Sequence, residues 1–247
     1  MRFSQFITLL AAGGGLFCLS LQADWFPGDP HKMHYPQLPD LNGWDVDVSG
    51  QWVVADDFLC TRSGPITEIH FWGSWQGDLV SPIDNIHLSI HADVPAGAGP
   101  NPWSQPGPLL WEWNTQDYIE IPWPESGDQG WYEPDFMFIP SDHQGIWQYN
   151  VYIPEALAFP QEEGMIYWLD IHVDTPGKFG WKTSLDHWND DATFALFPGV
   201  DPWFELLDPQ TSDSLDMAFV IVPEPATVAL WSGLLALALL IVRRRRS

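Results

Sequence analysis

Apolar and aromatic residues recur at every second position along this chain, in runs too short and too often interrupted to be helices. In IHLSIHA, 86–92, Ile86, Leu88, Ile90 and Ala92 fall on one face and His87, Ser89 and His91 on the other. ITEIHFWGSW, 66–75, groups Ile69, Phe71, Gly73 and Trp75, and IWQYNVYI, 146–153, groups Trp147, Tyr149, Val151 and Ile153. MIYWLDIHV, 165–173, aligns Tyr167, Leu169, Ile171 and Val173, and DMAFVI, 216–221, reads as a last strand. The 23 prolines and 20 glycines punctuate these runs, as in ADVPAGAGPNPWSQPGP, 92–108. Between the two ends of the chain the only helical signal is a short turn around Glu155–Ala158. Many short strands with turn-rich connections predict an all-β fold, a single jelly-roll-like β-sandwich over residues 24–221.

The ends differ from this body. Residues 1–23 have a basic start at Arg2, an apolar stretch from Phe6 to Leu21 and a small residue at Ala23, the layout of a secretory signal peptide cut before Asp24. Such a signal implies the Sec export machinery. Phe17 before Cys18 argues against a lipoprotein signal. Ala226–Val242 is an uncharged run long enough for a short transmembrane helix, and Arg243, Arg244, Arg245 and Arg246 behind it should stay cytoplasmic. Pro223 and Pro225 resist helix and strand, which predicts an exposed, extended linker around Glu224.

Val222, Pro223, Glu224 and Pro225, followed by an apolar helix and an arginine cluster, resemble the PEP-CTERM sorting signal of Gram-negative bacteria. The resemblance implies that residues 222–247 are recognised by an exosortase, a membrane-embedded cysteine transpeptidase, with export often linked to exopolysaccharide. A plain tail anchor is the alternative. The body resembles a known group too: QLPDLNGWDVD, VADDFLCTRSGPITEIHFWGSW, FGWKTSLDHWNDDATF and LDMAFVIVPEP are similar to an uncharacterised domain family of exported bacterial proteins. That resemblance implies fold and address, with no chemistry attached.

Between residues 24 and 221 four cations, Lys32, Arg62, Lys178 and Lys182, stand among thirty-two acids, a formal charge of -28. Such a field repels phosphate backbones and excludes nucleic acid as a partner. Solubility is its simplest role; polycations, divalent ions and neutral polysaccharides remain compatible with it. The sixteen tryptophans read as packing first and as a glycan face second; by strand alternation Trp72 and Trp168 are the outward-facing candidates for such a face. Asp56–Asp57 and Asp190–Asp191 are adjacent pairs whose side chains alternate across a strand, so neither is a ready-made acid–base dyad.

DLNGWDVD supplies Asp40, Asn42, Asp45 and Asp47, and DHWNDD, 186–191, is a second oxygen-rich loop. Ordinary Asx turns are the default for both and a structural calcium the alternative; no other cofactor is expected. His87 and His91 share a face but lie too far apart along a strand to grip one ion, and the histidines are expected on the solvated surface. Cys60 is expected as a packed core thiol, Arg62 nearby giving only a weak case for a nucleophile. The sequence thus predicts an exported, membrane-tethered and then surface or matrix protein with a non-catalytic structural, adhesive or binding body. The alternative is a carbohydrate-binding or glycosidase-like module.

Overall fold

The computed structural model describes residues 24–99 and 101–223. The expected signal peptide, Glu224 and Pro225 of the sorting motif, the apolar run 226–242 and Arg243–Arg246 lie outside the described residues. In chain order the strands are β1 (Trp44–Asp47), β2 (Trp52–Leu59), β3 (Gly64–Ile66), β4 (Glu68–Trp75), β5 (Asn85–Val94), β6 (Gln105–Thr115), β7 (Tyr118–Pro122), β8 (Gln129–Glu133), β9 (Met137–His143), β10 (Trp147–Tyr152), β11 (Phe159–Gln161), β12 (Ile166–Asp174), β13 (Phe179–Ser184), β14 (Thr193–Leu196), β15 (Val200–Glu205), β16 (Asp216–Met217) and β17 (Phe219–Val222). Helical backbone among the described residues is limited to two 3-10 turns, Gln76–Asp78 and the expected one at Glu155–Leu157.

Two large sheets result. One runs β7-β10-β4-β13-β1-β8-β9, with β16 paired to β13 and β17 to β4; the other runs β15-β14-β2-β12-β5-β6. The pairing is antiparallel except for β1 beside β8. Strand alternation turns Ile69, Phe71 and Trp75 of β4, Tyr149 and Val151 of β10, Leu169, Ile171 and Val173 of β12, and Ile86, Leu88 and Ile90 of β5 into one shared apolar core, as their spacing predicts. The architecture is therefore all-β and sandwich-like.

The outer faces are also covered. Residues 30–40 run beside β17, with Lys32 N–H donating to Ile221 O and Gln37 N–H to Phe219 O. Trp25 exchanges hydrogen bonds with the Gln148 amide on the outer face of β10. On the other sheet Trp203 of β15 joins Val53, Ala55, Trp168 and Ala195 in a second small apolar cluster.

Aromatic rings dominate the middle of the shared core. Phe71 stacks on Tyr149 with centroids 5.4 Å apart, and Phe179 meets Tyr149 edge-on at 5.0 Å and Trp75 at 5.2 Å. Phe179 fits because Gly73 has no side chain: a Cβ there would stand 2.4 Å from Phe179 Cζ and 2.6 Å from Gly180 O. Gly73→Ala is expected to lower the unfolding free energy by about 1–3 kcal/mol in urea titrations, the cost of overpacking. Exposed Gly50→Ala, whose new carbon would meet its nearest neighbour at 3.5 Å, should change it by less than ~0.5 kcal/mol. Equal effects would show that the ring above Gly73 is not the constraint.

Candidate functional site: a buried carboxyl cluster

Trp72 and Trp168 do not form an outward glycan face: both are 0% exposed. Each lies on an outer sheet face as the alternation predicts, but that face is roofed. Trp72 is covered by Trp25 and Trp123, edge-on at 6.2 Å and 5.2 Å. Trp168 lies under Trp203 and donates its indole N–H to Asp93 Oδ1 at 2.9 Å. The histidines correct the expectation of a solvated surface in the same way. His70, His87, His91, His143 and His172 are buried, because Phe197 stacks on His172 at 3.9 Å and meets His87 edge-on, Trp203 closes over His91, and acids pair with His70 and His143. Cys60 is buried as expected, its thiol donating to Arg62 O, and burial pushes its pKa up.

The oxygen-rich loops direct their acids at protein donors. Asp40 and Asp47 form Asx turns, accepting from the backbone N–H of Asn42 and Ser49. Asn42 Oδ1 accepts from Asp128 N–H. Asp45 and Asp47 point away from the core toward Lys182 and Lys178. In the second loop Asp186 accepts from Leu38 N–H and Asp190 from both Ser104 N–H and its hydroxyl. Among the described residues no three carboxylate, imidazole or thiol side chains are grouped so as to hold a metal ion.

What the fold does assemble is a cluster of carboxyl groups around the 186–191 loop. Asp56 and Asp57 leave β2 on opposite sides, as alternation requires. Asp56 accepts from Gln37 Nε2 at 2.8 Å and Met217 N–H at 2.6 Å; Asp57 accepts from Asn189 Nδ2 and its Oδ1 has no partner. Asp216 accepts from Trp188 N–H at 2.8 Å and sits 3.1 Å from His187 Nδ1. Asp93, Asp190, Asp191 and Glu205 complete the group, Asp191 lying beside Glu205, whose pKa is raised by burial and then by Asp191. Burial raises the pKa of Asp57 to about 9 and that of Asp216 to about 6; burial, then the charges of Asp216 and Asp57, raises Asp56. The half-exposed His187 meets Asp216 in a salt bridge. Chemically Asp57 holds a proton at neutral pH, and the cluster ties the 186–191 loop to β2 and β16.

Two further polar centres lie on the outer faces. His91 Nε2 is 2.9 Å from both Asp170 Oδ2 and Ser89 Oγ, while Nδ1 faces Gly107 O. Serine and aspartate share one imidazole nitrogen, so the trio lacks the relay order of a nucleophilic triad, in which they occupy opposite nitrogens. The other centre joins Asp45, Lys182 and His143. Asp170, Asp216, Lys182 and His143 carry no local motif; their partners are 79, 29, 137 and 98 positions away, and only the fold brings them together.

A family model described as a domain of unknown function, DUF7901, matches residues 33–222. The chain belongs to that family. No curated protein and no solved structure matches it.

The pH dependence of stability follows from these groups. A carboxyl whose folded pKa is raised keeps its proton while the unfolded chain has lost it, so its contribution to stability falls as pH rises from the unfolded value, 3.8, through about 6 for Asp216 and about 9 for Asp57. His91 and His143 act in the same sense. Burial opposes their protonation, but Asp170 and Asp45 outweigh it, so the stability they supply is lost as pH rises past their raised pKa. His34 opposes them: burial lowers it to about 3, and it costs stability as pH falls below 6.5. The melting temperature is therefore expected to rise as pH is lowered from about 9 to about 6. Asp57→Asn should stabilise the protein by about 1–3 kcal/mol at the alkaline end and flatten the curve. A melting temperature that climbs with pH in the wild type would contradict this.

Proposed function

We propose that this is an exported surface or matrix protein, sorted through its C-terminal PEP-CTERM-like signal by an exosortase, whose jelly-roll-like body plays a non-catalytic structural, adhesive or binding role. The observation that carries the role of the body is enclosure. Trp72, Trp168, Asp56, Asp57, Asp170 and His91, the side chains with the chemistry for sugar stacking or acid–base work, sit under covering strands and loops, each at most 4% exposed. The bonds of Trp168, Asp56, Asp57, Asp170 and His91 tie strands and loops to one another, which suits a rigid, acid-coated module that presents its surface to a matrix.

The tail supports the address. Val222 ends β17 opposite Glu68, and Pro223 follows it. In cell fractions probed by immunoblot, Glu224→Ala or deletion of Arg243–Arg246 is expected to leave the protein untrimmed in the inner membrane. Normal trimming of either variant would sink the sorting assignment.

Carbohydrate binding keeps one specific foothold. Trp111 and Trp113 are half-buried on edge strand β6, and the Trp111 indole donates to Leu157 O. On a glycan array the purified protein is expected to be silent; reproducible binding abolished by Trp113→Ala would favour the carbohydrate module instead.

A further inference from the structure

Lys182 and Asp45 are directly opposite one another in the antiparallel pair of β13 and β1, and both are 0% exposed. Lys182 Nζ lies 3.0 Å from Asp45 Oδ2 and donates to Gly43 O at 2.9 Å. From the other side His143 Nε2 lies 2.8 Å from the same Oδ2, and its Nδ1 is 3.0 Å from Asp142 Oδ2. Asp45 Oδ1 accepts no hydrogen bond. One wall of the site is close and apolar. Trp131, fully buried on β8, is the parallel neighbour of Asp45, and a Cβ on Gly180 would stand 2.8 Å from Asp45 Cβ and 2.9 Å from the Trp131 ring.

An ammonium enclosed this way loses the hydration that favours its charge, and transfer of its proton to the carboxylate 3.0 Å away leaves a neutral amine beside a carboxyl group. A neutral amine held beside a neutral carboxyl group, away from bulk water, has the proximity needed for acyl transfer and little water to reverse it. We propose that Lys182 and Asp45 become joined by an isopeptide bond, with His143 as the proton relay.

The Nζ lone pair forms the C–N bond at Asp45 Cγ, and the Cγ–Oδ2 bond breaks. Oδ2 leaves as water, carrying its own proton and one that passes from the amine through His143 Nε2. Nothing is oxidised or reduced. Oδ1 stays as the amide oxygen, and a buried neutral carbonyl without a donor costs less than a carboxylate oxygen in the same position. The side chains behave accordingly: burial pushes the Lys182 ammonium down despite Asp45, toward the nucleophilic amine. His143 Nε2, 2.8 Å from Oδ2, with Nδ1 3.0 Å from Asp142 Oδ2, places the ring to hand a proton to the departing oxygen.

The inference stands independently of the sorting and matrix reading. Full-length protein purified in detergent, digested with pepsin and sequenced by tandem mass spectrometry, is expected to yield a branched peptide joining the segments that hold Asp45 and Lys182, lighter than the two linear peptides by one water. Lys182→Arg should give linear peptides alone. His143→Gln, followed from the start of refolding, should form the branched product about a hundredfold more slowly, the size of effect expected of a general acid–base group; an unchanged rate in the folded variant would remove the relay. Recovery of only linear peptides from wild-type protein, its fold verified by near-ultraviolet circular dichroism, would overturn the proposal without any variant having to fold.

Discussion

Charge has to be neutralised inside this molecule with very few cations. Both sheets are covered on their outer as well as their inner faces, so polar side chains that a simpler sandwich would leave in water must find partners within the chain. Where a base is at hand, it is used: Lys182 meets Asp45, Lys178 meets Asp47 and Glu133, and His91 and His70 meet Asp170 and Glu68. Where none is near, the acids keep their protons, as Asp57 does with only an amide to bond. The surface field and the interior proton binding have one origin, an excess of carboxyl groups over cations in a body with little room to solvate them.

The tryptophan content follows from the same enclosure. A sandwich that also roofs its outer faces needs large side chains on both sides of a strand, and indole fills volume while its N–H can satisfy a buried acceptor. Trp181 on the inner face donates to Ala218 O, Trp131 on the outer face to Glu133, and Trp44 to Asp208. Each ring therefore joins an apolar contact to a specific polar one. Trp168, which resembles part of a sugar platform when counted along the sequence, acts here in the same way, its indole bonded to Asp93.

This explains which parts of the fold could be read from the sequence. Period-two spacing identifies β4, β5, β10 and β12 and their inward faces, since the inter-sheet core imposes that pattern directly. It also separates Trp72 from Phe71 and Trp168 from Leu169 correctly. Alternation cannot tell whether the second face meets water or another piece of chain, because the covering residues, Trp25, Trp123, Phe197 and Trp203, come from distant loops and hairpins. The run 92–108 reads as a loop from its prolines and glycines, yet β5 continues to Val94 and β6 begins at Gln105. β6 is an edge strand, where Pro106 and Pro108 remove donors that the sheet can spare. The carboxyl cluster was half legible: Asp56–Asp57 and Asp190–Asp191 are visible pairs, but Asp216 and Glu205 join them only through strand pairing.

Cross-links matter to a chain of this kind because its one described thiol, Cys60, is buried and free. A protein proposed to live outside the cell with no disulfide among its described residues must hold that body together through burial and hydrogen bonding, or through another covalent tie. β1 is where such a tie would act most strongly. It is only four residues long, yet it stands in the interior of its sheet between β13 and β8, so its loss would split that sheet. Its partner Lys182 is 137 positions away, and constraining contacts over so long a loop removes more freedom from the unfolded chain than a local staple would. The shortest interior strand of this sheet thus carries an ion pair that reaches 137 positions along the sequence, at the point where the sheet has the most to lose.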